Sequence, residues 1–255
     1  MLGIIKGDIR YTYLNEMLDN SILSDKLEDL IGIDELLLPI NGINRNYTIK
    51  GSLLNLKDIL NQNSIKTIYT GKNSNELNEL CERHNIKLIN FFNNECVLEN
   101  ANLTAKGIIH HIHFGVKDIS NYKILIVGYG NIGYYLSRLL DAYEVNYKIY
   151  SESILERKMI LLGKKNIEYN LNGSDYDIII NTVPANLNWN YISLRDKKII
   201  DVASEPYGFD IKKIEENYIN YEIFSSVPSK FAPYSAAKII YDSLKKYCDF
   251  TKDIV

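Results

Sequence analysis

Residues 123–133, KILIVGYGNIG, constrain the fold of this chain more than any other stretch. A run of β-branched and aliphatic residues ends in Gly128, Tyr129, Gly130, Asn131, Ile132 and Gly133. After it, apolar side chains fall at Ile132, Tyr135, Leu136, Leu139, Leu140 and Tyr143, a helical spacing with one face turned toward a core. A buried strand, a three-glycine turn and an amphipathic helix, in that order, make up the dinucleotide fingerprint. Gly128 allows the tight turn, Gly130 lets backbone approach a pyrophosphate, and Gly133 lets helix and strand pack closely. The pyrophosphate then meets the N–H groups at the helix start, where the helix dipole favours negative charge. A G-x-G-x-x-G alone is a weak signal; here both flanks are of the required type.

The length of 255 residues favours two domains over one crowded core. With 46% hydrophobic and 24% charged residues the chain is ordinary globular material. A net charge of −3 gives no electrostatic reason to expect nucleic acid as a partner. No run approaches membrane-spanning length, and the first residues lack the apolar core of a signal peptide. Cys81, Cys96 and Cys248 are odd in number and scattered, which fits reduced thiols in the cytoplasm.

Taken in order, the first half reads as strands at residues 2–5, 35–40, 67–69 and 87–91, with helices at 11–18, 53–60 and 75–84. Thr104 is positioned as an N-cap for a helix over 105–114. The second half reads as strands at 123–127, 146–150, 177–181, 198–201 and 221–224, with helices at 131–142, 154–162, 211–217 and 234–247. Alternating strands and helices of these lengths predict parallel sheets built from βαβ units. The fold class expected is α/β: a Rossmann doubly wound parallel sheet with a second, smaller flavodoxin-like α/β domain. The boundaries expected are 1–103 for the substrate-side domain, 104–118 for a bridging helix and 119–231 for the nucleotide domain. Residues 232–255 are expected to form a C-terminal helix packing back near the domain interface.

In a Rossmann unit the second strand ends at the group that reads the adenosine ribose: a carboxylate for NAD, an arginine for the 2′-phosphate of NADP. Glu152 lies a little over twenty residues past Gly128, at the position expected for the acid. A carboxylate beside a 2′-phosphate costs on the order of a few kcal/mol, so NAD is favoured over NADP. The competing role for Glu152 is to cap the helix that starts near Ile154. Strand ends at Asn181, Thr182, Val183 and Pro184, at Asp201, Val202, Ala203 and Ser204, and at Ser225 through Pro228 face the ligand crevice of such a sheet. Thr182, Val183, Pro184, Ala203 and Val227 are therefore candidates for a wall along the nicotinamide ribose, with turn chemistry as the alternative.

His110, His111 and His113 resemble a metal box, yet no carboxylate stands at zinc-helix spacing beside them, and no metal is expected. No G-x-S-x-G, C-x-x-C or supported Cys–His pair offers a nucleophile. Hydride transfer remains, because there the cofactor carries the chemistry.

Several segments together resemble the family of dipicolinate synthase A subunits of spore-forming bacteria, over most of the chain. They are GDIR at 7–10, IDELLLP at 33–39, TAKG at 104–107, the glycine loop, DVASEPYGFD at 201–210 and VPSKFAPYSAAKII at 227–240. The resemblance implies a Rossmann domain joined to a smaller α/β domain, similar to 2-hydroxyacid and alanine dehydrogenases. It also implies NAD(P)-linked oxidation of a dihydrodipicolinate-type ring to pyridine-2,6-dicarboxylate during sporulation. A flavoprotein-like B subunit is implied as partner, with the mother-cell cytoplasm as location; the sequence also allows a homo-oligomer. Against the family pattern, the segment between the first helix and Glu35 reads as shortened by a strand–helix piece. Glu152 replaces an arginine, Lys106 an acid, and a lysine is lost near Tyr234. A small dicarboxylate substrate calls for cations and hydroxyls. The candidates are Arg10, Lys106 and Lys230, with Thr104 and Ser235. Two other functions stay open: a reductase of another small oxo or imino acid, and a catalytically silent nucleotide-binding partner subunit.

Overall fold

The computed structural model of the chain describes residues 1–115 and 118–247, the last two of the first span by their backbone alone. Cys248, the rest of the tail and residues 116–117 of the expected bridge lie outside the described residues. The chain divides into two compact units. One is Met1–Asn100 together with the segment from Phe231, and the other is Ala101–Lys230.

The first unit opens with β1 (Leu2–Ile5), α1 (Ile9–Met17), β2 (Ser21–Ser24) and β3 (Glu35–Leu37). It continues through α2 (Leu56–Gln62), β4 (Thr67–Thr70), α3 (Asn75–Arg83) and β5 (Lys87–Asn90) into α4 (Asn94–Gly115). The helix starts are set by short polar side chains. Asp8 accepts from the Arg10 amide, Asn55 from Lys57 and Ser74 from Leu77. The sheet runs β2-β1-β3-β4-β5 with every neighbour parallel, the flavodoxin-like order expected.

Two sequence expectations need correction. The segment before Glu35 is not missing its strand: β2 pairs in parallel with β1, and a single 3-10 turn covers Leu27–Leu30. Thr104 is not an N-cap, because α4 begins ten residues earlier at Asn94 and buries Thr104 in its interior.

The second unit contains β6 (Lys123–Val127), α5 (Asn131–Ala142), β7 (Asn146–Tyr150), α6 (Ile154–Leu162) and β8 (Ile167–Glu168). After these come β9 (Ile178–Asn181), β10 (Lys198–Asp201), α7 (Ile211–Glu216), β11 (Asn220–Ile223) and α8 (Val227–Phe231). The sheet order is β11-β10-β9-β6-β7-β8, all parallel. That is the doubly wound Rossmann order, reversing between β6 and β9. Alternate residues of the central strands feed two cores. Ile124, Ile126, Ile178 and Ile180 face Leu136, Leu140 and Ile112, while Leu125, Val127 and Ile179 face Leu194 and Ile199.

The chain then returns to the first unit in α9 (Pro233–Leu244), with Pro233 in its first turn. Ala237, Ile240, Tyr241 and Leu244 join Tyr11, Leu14 and Met17 in that unit's core. Each large apolar side chain so buried contributes roughly 1.5–3 kcal/mol. No helix among the described residues is long and apolar enough to cross a membrane.

Candidate functional site

The three glycines of the β6–α5 turn are required for three different reasons. Gly128 has φ +97°, and a Cβ there would lie 2.5 Å from Thr182 Oγ1 and 2.6 Å from Val183 Cγ2. A Cβ on Gly133 would collide with the carbonyl oxygen of Gly128. Gly130 has neither need: its φ of −71° suits any residue, and nothing lies within 4 Å of the place a Cβ would take. Space of that kind, directly before an uncapped helix, is what an approaching pyrophosphate requires. No side chain caps α5, so the amides of Asn131, Ile132 and Gly133 have no intrahelical acceptor and meet the positive end of the dipole. The residues fit a dinucleotide.

The anion-facing amides begin only after Tyr129. The Gly128 amide donates to the Tyr150 carbonyl at 2.8 Å. The Tyr129 amide donates to Glu156 Oε2 at 2.9 Å, and the Tyr129 ring is buried in the core under α5. Ile132 packs against the same core.

Beside this turn lies a cavity of about 240 Å³ whose lining includes Val127, Tyr150, Ser151, Glu152, Glu156 and Val183. It sits where the adenosine half of a dinucleotide meets the ends of the first two Rossmann strands. Glu152 is exposed and accepts from the Tyr150 hydroxyl at 3.3 Å. Burial, and then the Glu152 charge, push the Tyr150 phenol above its ordinary pKa. Glu152 does not cap α6: Ser153 does, accepting from the Glu156 amide at 3.3 Å.

The neighbouring strand ends are stitched together. Thr182 Oγ1 donates to the Val127 carbonyl at 2.9 Å, which ties β9 to β6. Asp201, fully buried at the end of β10, accepts from Asn181 Nδ2 at 2.9 Å, the Ala203 amide at 3.0 Å, the Gly208 amide at 2.9 Å and the Tyr221 hydroxyl at 3.2 Å. Burial raises the Asp201 pKa against the pull of these donors. This carboxylate shapes the 203–208 loop beside a wider hollow of about 550 Å³ lined by Asn186, Glu205, Pro206, Tyr207 and Phe209. Pro184 is exposed and Ala203 buried, while Val227 is buried within α8 and not at a strand end.

The candidates for the substrate carboxylates are placed as follows. In the first unit, Arg10 is mostly buried and its Nε and Nη2 are held by Asp8, the latter at 2.6 Å. Burial opposes the Arg10 charge, but Asp8 outweighs it and the guanidinium pKa rises. Ser235 is exposed in the first turn of α9. In the second unit, Lys106 is exposed on α4 and Thr104 is buried in it. Lys230 stands 5.6 Å from the centre of the Phe224 ring. His111 stacks on the same ring at 4.3 Å, and its Nε2 lies 2.8 Å from Glu222 Oε2. The structure thus brings Lys230 and His111 to one aromatic residue. Among the described residues no group of three or more His, Cys, Asp or Glu side chains is placed to hold a metal ion.

Sequence reasoning missed Glu156 and Glu222, and it placed Asn181 and Asp201 at strand ends without finding the buried network that joins them. A signal existed for the first, since Ser153-x-x-Glu156 is a capping-box pattern, but it points to a helix-cap role that Glu156 does not fill.

No family model matches the chain. The A subunit of dipicolinate synthase from Bacillus subtilis (strain 168) is 25% identical over an alignment 229 residues long that covers 84% of this chain and 77% of that protein. The solved structure of the Bacillus subtilis dipicolinate synthase A chain superposes with a TM-score of 0.75 at 22% identity, covering 96% of this chain and 94% of that one. The corresponding structure from Bacillus halodurans gives 0.73 at 21% identity, over 96% of both chains. Salmonella D-lactate dehydrogenase, 12% identical, shares the fold at a TM-score of 0.61 over 96% and 95% of the two chains.

Proposed function

We propose that the chain is a member of the family of dipicolinate synthase A subunits, to one of which it is 25% identical, and that it is an NAD-linked oxidoreductase subunit. Its proposed reaction is oxidation of a dihydrodipicolinate-type ring to pyridine-2,6-dicarboxylate. The observation that carries the nucleotide half of this reading is Gly130, a glycine with no conformational or packing reason to be one. The amides of Asn131, Ile132 and Gly133 are the donors for the pyrophosphate. The 240 Å³ cavity, with Glu152 and Glu156 among its walls, is proposed to take the adenosine. Two carboxylates there disfavour a 2′-phosphate, which makes NAD the cofactor of choice.

When bound, the nicotinamide supplies a hydride acceptor, and aromatisation of the ring makes hydride loss downhill. The chain's own part is to hold the reactants and exclude water. For the substrate carboxylates the proposed contacts on the second unit are Lys106 and Lys230. A flavoprotein-like B subunit is the proposed partner.

The test is a steady-state assay at the nicotinamide absorbance band with dihydrodipicolinate, with and without the B subunit. Turnover supports the reading. Dinucleotide binding without absorbance change under either condition identifies a silent nucleotide-binding protein instead.

A further inference from the structure

Glu156 stands in the first turn of α6, three residues past the Ser153 cap. In a capping box the glutamate at that position reaches back to the amide of the capping residue. Here that amide is satisfied by another group: Ser153 N–H donates to Ser151 Oγ at 3.1 Å. Glu156 is thereby released from the helix cap and turned toward the glycine turn. Its Oε2 accepts from the Tyr129 amide at 2.9 Å and from the Ser151 hydroxyl at 2.6 Å. Two donors on one oxygen, one of them backbone, fix the side chain, and no described group donates to Oε1. The carboxylate lines the 240 Å³ cavity between β6 and β7.

Glu152, the acid that motif spacing selects, is held differently. It is exposed, and its only described bond is the 3.3 Å contact from the Tyr150 hydroxyl. Arg157, the nearest cation in sequence, does not line the cavity; its Nε donates to the Ser151 carbonyl. The pocket therefore has one carboxylate fixed against the glycine turn and one exposed carboxylate in its wall.

We infer that Glu156, and not Glu152, is the residue that accepts the adenosine ribose hydroxyls and excludes a 2′-phosphate. This deepens the proposed function and rests on its nucleotide reading. A ribose diol donates to the open Oε1. A 2′-phosphate brings only acceptor oxygens and negative charge to an oxygen that cannot turn away, because Tyr129 and Ser151 hold it. An exposed Glu152, held by one long bond, is screened by water and rotates clear at little cost.

The test measures dissociation constants of NADH and NADPH, by nicotinamide fluorescence, for the full chain and its Glu156→Gln and Glu152→Gln variants. Gln at 156 keeps an acceptor for the Tyr129 amide and removes the charge. The wild type is expected to prefer NADH. Glu156→Gln shifts the NADH-to-NADPH affinity ratio toward NADPH by about tenfold or more, and Glu152→Gln moves it by less than about threefold. Damage to the turn alone weakens both dinucleotides equally, so an unchanged ratio in Glu156→Gln overturns the assignment. A larger shift in Glu152→Gln also overturns it. If Glu156→Gln does not fold, Ser151→Ala decides. It removes one donor that orients Glu156, and a shift of about threefold toward NADPH supports the assignment while an unchanged ratio overturns it. A wild-type chain that binds neither dinucleotide overturns the nucleotide reading and, with it, this assignment. Wild-type binding with unmoved ratios overturns this assignment alone.

Discussion

Replacing Gly130 by alanine separates ligand geometry from fold geometry. The new methyl meets nothing within 4 Å, and the backbone at φ −71° and ψ −163° accepts alanine without strain. Two small effects on stability oppose each other. Alanine reduces the freedom of the unfolded chain, stabilising by about 0.4–1 kcal/mol. As the residue before α5 it is a poorer N-cap than glycine, at a cost of roughly 0.5–1 kcal/mol. The net change is within about 0.5 kcal/mol, a shift of no more than ~2 °C in Tm. Binding behaves otherwise, because the methyl occupies the path of the pyrophosphate to the amides of Asn131 and Ile132. A loss of about ten- to a hundredfold in NADH affinity is expected, equivalent to ~1.4–2.8 kcal/mol. Gly133→Ala gives the contrasting pattern: its Cβ collides with the Gly128 carbonyl, so stability falls by roughly 1–3 kcal/mol together with binding. Thermal unfolding and fluorescence titration on the same samples read both quantities. Undiminished NADH affinity in Gly130→Ala would refute the reasoning, since the open space would then have no ligand in it.

Asp201→Asn places an amide NH₂ among four donors, Asn181, Ala203, Gly208 and Tyr221. It should lower stability by about 2–4 kcal/mol in urea unfolding; a change below ~1 kcal/mol contradicts the network. Burial pushes the Cys81 thiol up from 9.0 to about 11. Raising the pKa reduces the reactive thiolate at pH 8 to about a hundredth of that of an ordinary thiol. Peptide-mapped alkylation of Cys81 should therefore be slow at pH 8 and accelerate as pH rises toward 11; fast labelling at pH 8 contradicts the burial. Lys230→Ala is expected to weaken pyridine-2,6-dicarboxylate binding at least about tenfold, at ~1.5–3 kcal/mol per charged hydrogen bond. Wild-type affinity in that variant removes Lys230 from the substrate site.

Most of the second unit was legible in sequence because its signals are local, although β8 and α8 were not expected. β6, α5, β7, α6 and β10 begin and end as the pattern of apolar runs, glycines and caps predicts. The first unit was harder. β2 is only Ser-Ile-Leu-Ser, partly buried at a sheet edge, and its strand character comes from pairing with β1 rather than from any alternation of its own. The start of α4 is Asn94-Glu95-Cys96-Val97-Leu98, three apolar residues in a row without helical spacing, before Glu99, Asn100 and Asn102; burial of Cys96 and Ala101 against the rest of the fold decides it. At the site, glycine spacing pointed to the turn, but it could not show that Glu156 leaves its capping box. That depends on β7 and β6 being neighbours, a long-range fact. The Asp201 network was hidden for the same reason, since Asn181, Gly208 and Tyr221 meet it only through sheet pairing.

The most direct measurement of the central claim is amide resonance perturbation on adding NADH to the isotopically labelled chain. Saturable shifts are predicted at Asn131, Ile132 and Gly133, with the Tyr129 amide, already held by Glu156, moving less. Saturation of the chain with NADH while those three amides stay unmoved, or no binding at all, would contradict it.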